Sequence, residues 1–473
     1  MMNMTLFLPE LFYLFTGGVF LVLSMVPATS SRRDFTAAMI LAAMGIGVSL
    51  AGIHLRGDLF ADAYRVDLFS QIFKALLAMG FFLVVCLCSD LQGIDGRKHP
   101  EFYFLLAIST LSMMMLVSSV NLVTIYVSLE VSSYSLYILV YLRKDARFGA
   151  NAGIRYFVIG AVASAVMIFG MALLYGSTGN TQVIGILRTL PGLMDTPVAA
   201  LGLLLTLCGF FFKLALFPFH FWAPDVYEGA ANQVAAYIAA VSKVAAIAIL
   251  IRMTSLTGGN SPFIVHSLAA LAIISMTVGN LSAIVQKDFK RLLAFSSIAH
   301  AGYVMIGILN MDPAGYAGSI FYAAALLVMK FSCFMVVVLV ATDGMNMDVA
   351  QLAGLHRRSP ILALMLMMAL FSLAGIPPTI GFTGKLLIFS AAMGNGYFSL
   401  VLIAMINVVI SLYYYLLVLK AAYLTEPEDE QPALRITPAT QLLAGVMTGI
   451  MVVGGIFPRY LIDLANQAAR LLG

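Results

Sequence analysis

The chain has 473 residues, of which 62% are hydrophobic and only 10% are charged, whereas soluble domains carry about 25% charged residues. Apolar runs of about 20 residues, the length that spans a ~30 Å hydrocarbon core, recur from end to end. The alternating pattern of an outer-membrane barrel is absent, and no polar stretch is long enough for a soluble domain. The composition therefore predicts an all-α polytopic membrane protein whose chemistry takes place in the membrane or at its rims.

The apolar runs predict fourteen transmembrane helices. These spans cover residues 5–26, 35–54, 67–89, 101–118, 120–142, 152–175, 196–218, 232–253, 262–285, 289–309, 314–341, 358–393, 397–422 and 438–457. A short amphipathic tail, PRYLIDLANQAARLLG, follows the last span. The first span contains Glu10 and lacks a basic flank, so we expect a retained helix rather than a cleaved signal.

The basic residues of the loops divide unevenly between the two sides of the membrane. With alternate loops on the same side, one side holds Arg32, Arg33, Arg97, Lys98, Arg143, Lys144, Arg147, Lys287, Lys290, Arg291, Arg357, Arg358, Lys420 and Arg435. The other side holds Arg56, Arg65, Arg188, Arg252, Arg459 and Arg470. Because cytoplasmic loops carry the excess of Lys and Arg, we expect both termini on the non-cytoplasmic side.

Five charged residues lie inside the apolar runs, far from any loop. They are Glu130, Lys213, Lys243, Lys330 and Lys385. A charge at the bilayer centre costs at least ~2.5–3.5 kcal/mol on insertion scales, and such residues typically line ion or proton pathways. We interpret the five residues as one buried polar track for ions or protons.

The residue types within this track suggest individual roles. Burial disfavours the charged form of a lysine and a neighbouring acid favours it, so Lys213 near Glu130 is suited to take up and release a proton. A static structural ion pair is the alternative for these two residues. We expect Lys243 to be the next relay site, Lys385 the terminal site, and Lys330 a bridge between the two halves of the chain.

Other polar residues in or near the spans allow two interpretations each. His220 and His300, each about one helical turn inside a membrane boundary, can pass protons through water or bond to a backbone carbonyl. Asp225 and Glu228, next to the seventh span, fit either a water entrance or a solvated loop.

Lys74, Arg155 and the three consecutive residues Tyr413–Tyr415 receive simpler interpretations. We expect Lys74 and Arg155 to lie near span ends and to extend to the membrane interface. We expect the tyrosines to pack and to anchor the interface rather than to bind a quinone.

Prolines interrupt two of the predicted spans. Pro218 lies in the seventh span, and Pro377 and Pro378 lie in the twelfth. Proline lacks a backbone donor and clashes with the carbonyl four residues before it, so backbone groups near Leu214 and Leu373 should be released from their helices. Such groups are tolerated at membrane depth only beside protein or a water-filled cavity.

The two breaks lie about 160 residues apart, as do the starts of the fourth and ninth spans. This spacing predicts two five-helix repeats, and the second must be inverted because five is odd. The resulting domains are an N-terminal three-helix segment (1–100), a first repeat (101–254), a second, inverted repeat (262–422), and a C-terminal helix with an amphipathic tail (438–473).

The cysteines indicate no cofactor in this chain. Cys86, Cys88, Cys208 and Cys333 all lie in apolar runs, and the first two form C-x-C rather than C-x-x-C. We interpret them as small hydrophobic residues. Zinc, haem, iron–sulfur, dinucleotide and Walker motifs are also missing. We expect partner subunits to supply any redox cofactor.

Four long segments resemble the antiporter-like membrane subunits of respiratory complex I. They are FFKLALFPFHFWAPDVYEGA, VSKVAAIAILIR, VGNLSAIVQKDFKRLLAFSSIAHAGYVMIGIL and SLAGIPPTIGFTGKLLIF. The form WAPDVYEG, with LEVSSYSLYIL around Glu130, is most similar to subunit N of bacterial NADH:quinone oxidoreductase, and the likeness covers nearly the whole chain. The resemblance implies that Glu130, Lys213, Lys243 and Lys385 form a proton-conducting axis and that His300 is a family landmark.

The resemblance implies a proton-translocating, non-redox subunit of a quinone oxidoreductase in the bacterial inner membrane. NADH, FMN, iron–sulfur clusters and quinone are then expected elsewhere in the complex, together with further antiporter-like subunits and no nucleic acid. Two departures, the stretch Ala230–Val234 in place of a proline-containing A-P-T-P-V and Arg155 in place of a lysine, leave open a hydrogenase or another electron donor. A multisubunit cation/proton antiporter is the alternative, and an independent solute carrier fits least because no substrate-sized polar cluster is apparent.

Overall fold

The protein is described by a computed structural model that covers residues 4–26, 30–257, 261–341, 344–426, 433–434 and 436–472. Its helices, in chain order, are α1 (Leu8–Ser24), α2 (Ser31–Ala51), α3 (Leu68–Cys86), α4 (His99–Ser118), α5 (Leu122–Tyr141), α6 (Ala146–Thr178), α7 (Val183–Thr189), α8 (Pro197–Leu214), α9 (Trp222–Gly229), α10 (Asn232–Ala240), α11 (Ser242–Thr254), α12 (Pro262–Ile284), α13 (Phe289–Ile308), α14 (Pro313–Val340), α15 (Leu355–Arg358), α16 (Pro360–Ala374), α17 (Ile380–Gly394), α18 (Phe398–Leu424), α19 (Pro438–Ile456) and α20 (Arg459–Ala469). Two short strands, β1 (Gly57–Leu59) and β2 (Tyr64–Val66), form an antiparallel hairpin.

The described residues contain thirteen helices that are long and apolar enough to cross a membrane. The predicted twelfth span is divided into the two shorter apolar helices α16 and α17. Counted together as one crossing, these two complete the fourteen predicted spans. The all-α polytopic fold is therefore confirmed, whereas its division into two inverted repeats stays a prediction.

Contacts between loops define two rims of the helix bundle. At one rim, which we call the basic rim, short bridges join Ile94 to Arg143 and Asp288 to Asp348. At the other, which we call the opposite rim, bridges join Tyr64 to Ser119 and Asn121 to Gln182. Each bridge joins two loops that the charge distribution assigns to the same side. Arg435, one of the basic loop residues, lies outside the described part of the chain.

Both predicted breaks are present, and each begins with a left-handed residue. Helix α8 ends before Ala215 (φ 61°), and α16 ends before Gly375 (φ 85°). Pro218 lies between α8 and α9, and Pro377 and Pro378 lie between α16 and α17. Because a left-handed residue cannot continue a right-handed helix, the last carbonyl groups of α8 and α16 are free to bind side chains.

The eighth predicted span consists of two helices rather than one. Val241 separates α10 from α11, and the segment Asn232–Thr254 is buried along its whole length. The interruption lies two residues before Lys243. The central element of the bundle therefore has an irregular backbone next to a charged side chain, which the apolar pattern alone did not predict.

The predicted amphipathic tail forms α20. Its small residues Ala465 and Ala468 are buried, and the helix packs on α14 and α3. Because α3 and α14 belong to the N-terminal segment and to the predicted second repeat, α20 joins these two parts of the molecule.

Candidate functional site

Two lysines of the track bind the free ends of the broken helices. The Lys243 Nζ donates to the Leu214 carbonyl at 2.6 Å, and the Lys385 Nζ donates to the carbonyls of Leu373 and Ala374 at 2.8 and 3.1 Å. The carbonyl end of a helix carries partial negative charge and favours a cation. The prediction that backbone groups near Leu214 and Leu373 are released is confirmed, and the structure identifies the lysines as their partners.

Lys213 is held by hydroxyl groups instead. It is fully buried, and its Nζ donates to the side-chain oxygens of Ser132 and Ser133 on α5 at 2.8 and 3.2 Å. Glu130 lies on the same helix but accepts a hydrogen bond from the Ser164 hydroxyl on α6 at 2.5 Å. Among the described residues no direct ion pair joins Glu130 to Lys213, although the carboxylate acts electrostatically on the lysine. The two are thus neighbours with separate partners.

A chain of hydrogen bonds surrounds Lys330 and His300 in the second half. The Lys330 Nζ donates to the Ser296 hydroxyl at 2.7 Å. The Ser296 hydroxyl in turn lies 2.5 Å from the Tyr415 hydroxyl. The Tyr415 hydroxyl lies 3.2 Å from His300 Nε2, and His300 Nδ1 lies 2.7 Å from the Tyr322 hydroxyl. All five side chains are buried. Because hydroxyl and imidazole groups can both donate and accept, such a chain can pass a proton between its ends.

This chain of hydrogen bonds corrects two expectations about His300. His300 lies in the middle of α13 rather than about one turn from its end, and its ring bonds to tyrosine hydroxyls rather than to a carbonyl. Tyr415 and Tyr414 are buried and hydrogen-bonded, whereas Tyr413 alone is exposed as an interface residue would be. His220 lies apart from this chain, buried against the rings of its neighbours in the first break.

The lysines form a succession through the centre of the bundle. Lys243 binds the carbonyl of the residue that follows Lys213. The charges of Lys243 and Lys330 act on one another, as do those of Lys330 and Lys385. Lys385 also places its Nζ 4.7 Å from the centre of the Tyr303 ring, a cation–π contact. The structure thus places the lysines of the predicted track near one another, and their order as a proton route stays a prediction.

A charged cluster lies where the track approaches the basic rim. The Arg291 guanidinium donates to Asp225 at 3.0 Å and to Glu228 at 2.6 Å, and Arg155 also pairs with Asp225. A cavity of about 220 Å³ is lined by Arg155, Asp225 and Glu228 together with neighbouring residues of α6. Asp225 and Glu228 therefore belong to an ion-pair network beside an open cavity rather than to a freely solvated loop.

Lys290 was counted among the loop charges but is fully buried. Its Nζ donates to the Ala230 carbonyl at 3.0 Å. The nearby Arg143 donates to the Glu228 carbonyl at 2.6 Å and is also buried. One signal in the sequence could have identified Lys290: it is the second residue of α13, where the helix dipole disfavours a cation.

The expectation that Lys74 reaches the membrane interface is wrong. Its Nζ pairs with Glu10 Oε1 at 2.7 Å, and both side chains are 0% exposed. Arg155, by contrast, is 63% exposed, as expected of a residue at the interface.

The described residues contain no group of three or more His, Cys, Asp or Glu that could hold a metal ion. The four cysteines are unpaired, and Cys88 and Cys333 are buried in the apolar core.

Residues 119–411 match the family model described as NADH:quinone oxidoreductase/Mrp antiporter, transmembrane. Over 471 residues, and 100% of both chains, the protein is 59% identical to NADH-quinone oxidoreductase subunit N 2 of Syntrophobacter fumaroxidans. The chain belongs to the subunit N family of NADH-quinone oxidoreductase. Within this family, the protein is also 41% identical to NADH-quinone oxidoreductase subunit N 2 of Opitutus terrae over 98% of both chains.

The fold is shared with chains of two solved complexes. A chain of respiratory complex I from Thermus thermophilus is 31% identical, with a TM-score of 0.83 over 97% of this chain and 99% of that one. A chain of the Mrp complex from a Dietzia species has a TM-score of 0.87 over 99% and 97% at 20% identity, which shows a common fold only. The predicted membership of the complex I family is thereby confirmed.

Proposed function

We propose that this chain carries protons across the bacterial inner membrane along Glu130, Lys213, Lys243, Lys330 and Lys385, as the subunit N type of membrane subunit in a quinone oxidoreductase of the complex I type. Every buried lysine of this track is held by neutral groups, either serine hydroxyls or backbone carbonyls. This observation carries the proposal. A lysine bound to a buried carboxylate cannot lose its proton without leaving an uncompensated charge, which costs about 3–5 kcal/mol.

Neutral partners suit both protonation states of a lysine. A serine hydroxyl accepts from an ammonium group and can donate to a neutral amine. A neutral amine also keeps two N–H groups that still donate to a carbonyl. The partners of Lys213 and Lys243 therefore allow a proton to arrive and leave without a large loss of hydrogen bonding.

The energy for this movement comes from charge changes between neighbours. Moving one charge against 100 mV costs ~2.3 kcal/mol. Two unit charges 4 Å apart interact by ~4 kcal/mol at an effective dielectric constant of 20. Loading or unloading a neighbour therefore changes the energy of a lysine by an amount comparable with the cost of transport.

The electron chemistry belongs to other subunits in this proposal. NADH, FMN, iron–sulfur clusters and quinone act elsewhere in the complex, and this chain holds no redox cofactor. Its partners are the other membrane subunits, including further antiporter-like chains. Iron and flavin analysis of the purified chain tests this part: a stoichiometric amount of either, retained after washing, would contradict it.

The basic rim faces the cytoplasm in this proposal, with both termini on the other side. The cavity beside Asp225 and Glu228 then serves as the water entrance for protons. Arg155 and Arg291 hold these two acids near the cavity, and their charge keeps other cations out. Labelling of engineered cysteines at Arg188 and Lys144 from either side of sealed vesicles tests the orientation. Reaction of the cysteine at position 188 only from the cytoplasmic face would contradict it.

The decisive experiment replaces Lys213 with alanine in the assembled complex. We expect Lys213→Ala to abolish most proton pumping in membrane vesicles, because it removes the amine that donates to Ser132 and Ser133. The exposed Lys420 at the end of α18 provides the matched control, and Lys420→Ala should pump normally. Normal pumping by Lys213→Ala would remove the track from the mechanism, and dependence of pumping on sodium would favour a cation antiporter.

A further inference from the structure

A second buried ionisable cluster lies in the N-terminal three helices, outside the lysine track. Glu10 Oε1 on α1 accepts a hydrogen bond from the Tyr64 hydroxyl at 2.5 Å and pairs with Lys74 Nζ on α3 at 2.7 Å. The Lys74 Nζ also lies 5.1 Å from the centre of the Tyr64 ring. We call these three residues the N-terminal triad. They lie outside residues 119–411, the part that matches the family model.

The carboxylate of the triad is incompletely bonded. Glu10 and Lys74 are 0% exposed and Tyr64 is 3% exposed. Glu10 Oε2 is buried and has no hydrogen-bond partner among the described residues. A buried polar atom without a partner is destabilising, and more so when the group is charged. Glu10 therefore has an unused acceptor site where a proton can bind.

The surroundings of the triad keep Tyr64 able to donate. Burial, followed by the charge of Glu10 and the hydrogen bond to it, raises the pKa of Tyr64 well above its ordinary value. The tyrosine therefore stays protonated and keeps its hydroxyl proton for the hydrogen bond to Glu10. The rings of Phe7 and Phe60 stand edge-on to the Tyr64 ring at 5.4 and 6.0 Å and form its contact towards the opposite rim.

The turn that carries Phe60 is strained. Phe60, Ala61 and Asp62 are three consecutive residues with positive φ, between 52° and 63°. This conformation is unfavourable for a non-glycine residue, and residues of this kind concentrate at functional sites and switches. The aromatic cover of the triad is therefore held by a strained hairpin turn.

An ion pair connects the triad to the lysine track. Arg252 lies near the end of α11, the helix that contains Lys243, and its Nη2 donates to both oxygens of Asp67 at 3.2 and 3.1 Å. Asp67 caps α3, the helix that contains Lys74, through the Ser70 N–H at 2.7 Å. The ion pair thus fixes the end of α11 to the start of α3.

Asp67 remains charged in this arrangement. Burial alone would raise its pKa, but the Arg252 guanidinium and the Ser70 N–H and hydroxyl groups bring the pKa below its ordinary value. The charged and titratable groups around Glu10 are Lys74 from α3, Tyr64 from β2, and the pair of Arg252 and Asp67.

We infer that the N-terminal triad is a second proton-binding site of this chain, at which Glu10 takes up and releases a proton on the side of the opposite rim, with its state coupled to α11 through Arg252 and Asp67. The inference rests on the proposed function, in which this chain translocates protons. The proton adds to the Glu10 carboxylate to form a carboxylic acid. Lys74 keeps its charge but loses its compensating carboxylate, so the site fills only when a charge change elsewhere in the chain supplies the energy for breaking the buried pair. Movement of α11 as Lys243 changes its partners then alters the field at Glu10.

A static ion pair is the competing explanation, and paired substitutions separate the two. Replacing both members of a buried pair with neutral groups of similar size is often neutral or stabilising. The double variant Glu10→Gln/Lys74→Met should therefore assemble in the full complex. We expect it to transfer electrons to quinone and to move fewer protons per electron than the wild type. Full assembly with an unchanged proton-to-electron ratio would show that the pair is structural.

Two further measurements keep the inference testable if the double variant assembles poorly. Infrared difference spectra of the reconstituted complex, recorded on a pH change, should contain a protonated carboxyl band that is lost in Glu10→Gln. The matched control is Glu101→Gln, because Glu101 also lies in the first turn of its helix but is exposed at the basic rim. Absence of any Glu10-dependent band would overturn the inference.

The outcome with Lys213→Ala, measured in parallel, separates this inference from the proposed function. If Lys213→Ala stops pumping while the Glu10 variants keep the normal proton-to-electron ratio, only the second site is refuted. If Lys213→Ala pumps normally, the proposed function itself fails.

Discussion

The two halves of the lysine track surround their buried lysines with different chemical groups. In each half a lysine binds the carbonyl end of a broken helix, Lys243 in the first and Lys385 in the second. The first half adds a buried acid, Glu130, beside a lysine held by serines. The second half has no such acid, because none of the helices α12 to α18 contains an Asp or Glu. It has instead the chain of hydroxyl and imidazole groups around His300.

This difference suggests a direction for the proton. A buried acid stabilises a proton on the neighbouring Lys213, so the first half favours loading. In the second half, a protonated Lys330 meets the charge of Lys385 without any compensating carboxylate. Like charges in a low-dielectric environment repel strongly, so that half favours release. The comparison predicts uptake in the half with the acid and delivery from the half without it.

The largest effect is expected when the lysines at the helix ends are removed. We expect Lys243→Met and Lys385→Met each to slow pumping by about tenfold or more, which corresponds to ~1.4 kcal/mol in the barrier. Lys385→Met should also destabilise the assembled complex more, because it leaves two carbonyls without their donor while Lys243→Met leaves one, at about 1–3 kcal/mol each. Proton uptake by vesicles and the thermal midpoint of the complex provide the measurements. Equal stability of the two variants would contradict the different bonding of the two helix ends.

The second effect tests the acid that distinguishes the first half. Glu130→Gln keeps a hydrogen-bond acceptor for Ser164 but removes the negative charge near Lys213. Lys213 then binds its proton less tightly, so it stays loaded only at lower pH. We expect pumping several times slower than in the wild type and a pH optimum displaced to lower pH. An unchanged pH profile in a fully assembled complex would remove Glu130 from the loading step, and Glu101→Gln serves as the control.

Breaking the hydrogen-bond chain of the second half should have a smaller effect. Tyr415→Phe removes the hydroxyl that lies between Ser296 and His300. We expect pumping to slow by about threefold, as the loss of a hydrogen bond worth ~0.5–1.5 kcal/mol implies. Tyr413→Phe is the matched control because Tyr413 is two residues away and 56% exposed. Equal rates for the two variants would mean that water, rather than Tyr415, connects Ser296 to His300.

The sequence could reveal the parts of the site that are anomalous by themselves. A lysine within an apolar run is unusual whatever its contacts are, and a proline within a span interrupts the helix at any position in it. For this reason Lys213, Lys243, Lys330 and Lys385, and both broken helices, could be predicted. The free carbonyls also followed from the prolines, and only the identity of the lysines that bind them required the structure.

The remaining features depend on contacts between distant residues. A lysine near a span end, such as Lys74, has the same local pattern whether it reaches the interface or meets Glu10 on another helix. Serine and tyrosine hydroxyls are common in apolar spans. The sequence therefore did not indicate that Ser296 and Tyr415 connect Lys330 to His300. The break at Val241 was also hidden, because no proline or glycine marks it.

The smallest effect concerns the two left-handed residues at the breaks. Gly375 takes its positive φ without strain, whereas Ala215 adopts one of 61° at a cost of about 1–2 kcal/mol. Ala215→Gly should therefore change stability by less than ~1 kcal/mol, since relief of strain is offset by the greater freedom of glycine in the unfolded chain. The thermal midpoint of the assembled complex should stay the same or rise slightly.

The reverse substitution at the other break, Gly375→Ala, should lower the stability of the assembled complex. A Cβ added at Gly375 would lie 3.0 Å from Cδ of Lys385, so Gly375→Ala would strain the backbone and displace the lysine from its carbonyls. Ala215→Gly forces no neighbouring side chain to move, because the substitution only removes a methyl group. If Ala215→Gly slowed pumping as much as Gly375→Ala, the methyl group of Ala215 would itself hold the first break in its working shape, and the two breaks would differ in construction as well as in chemistry.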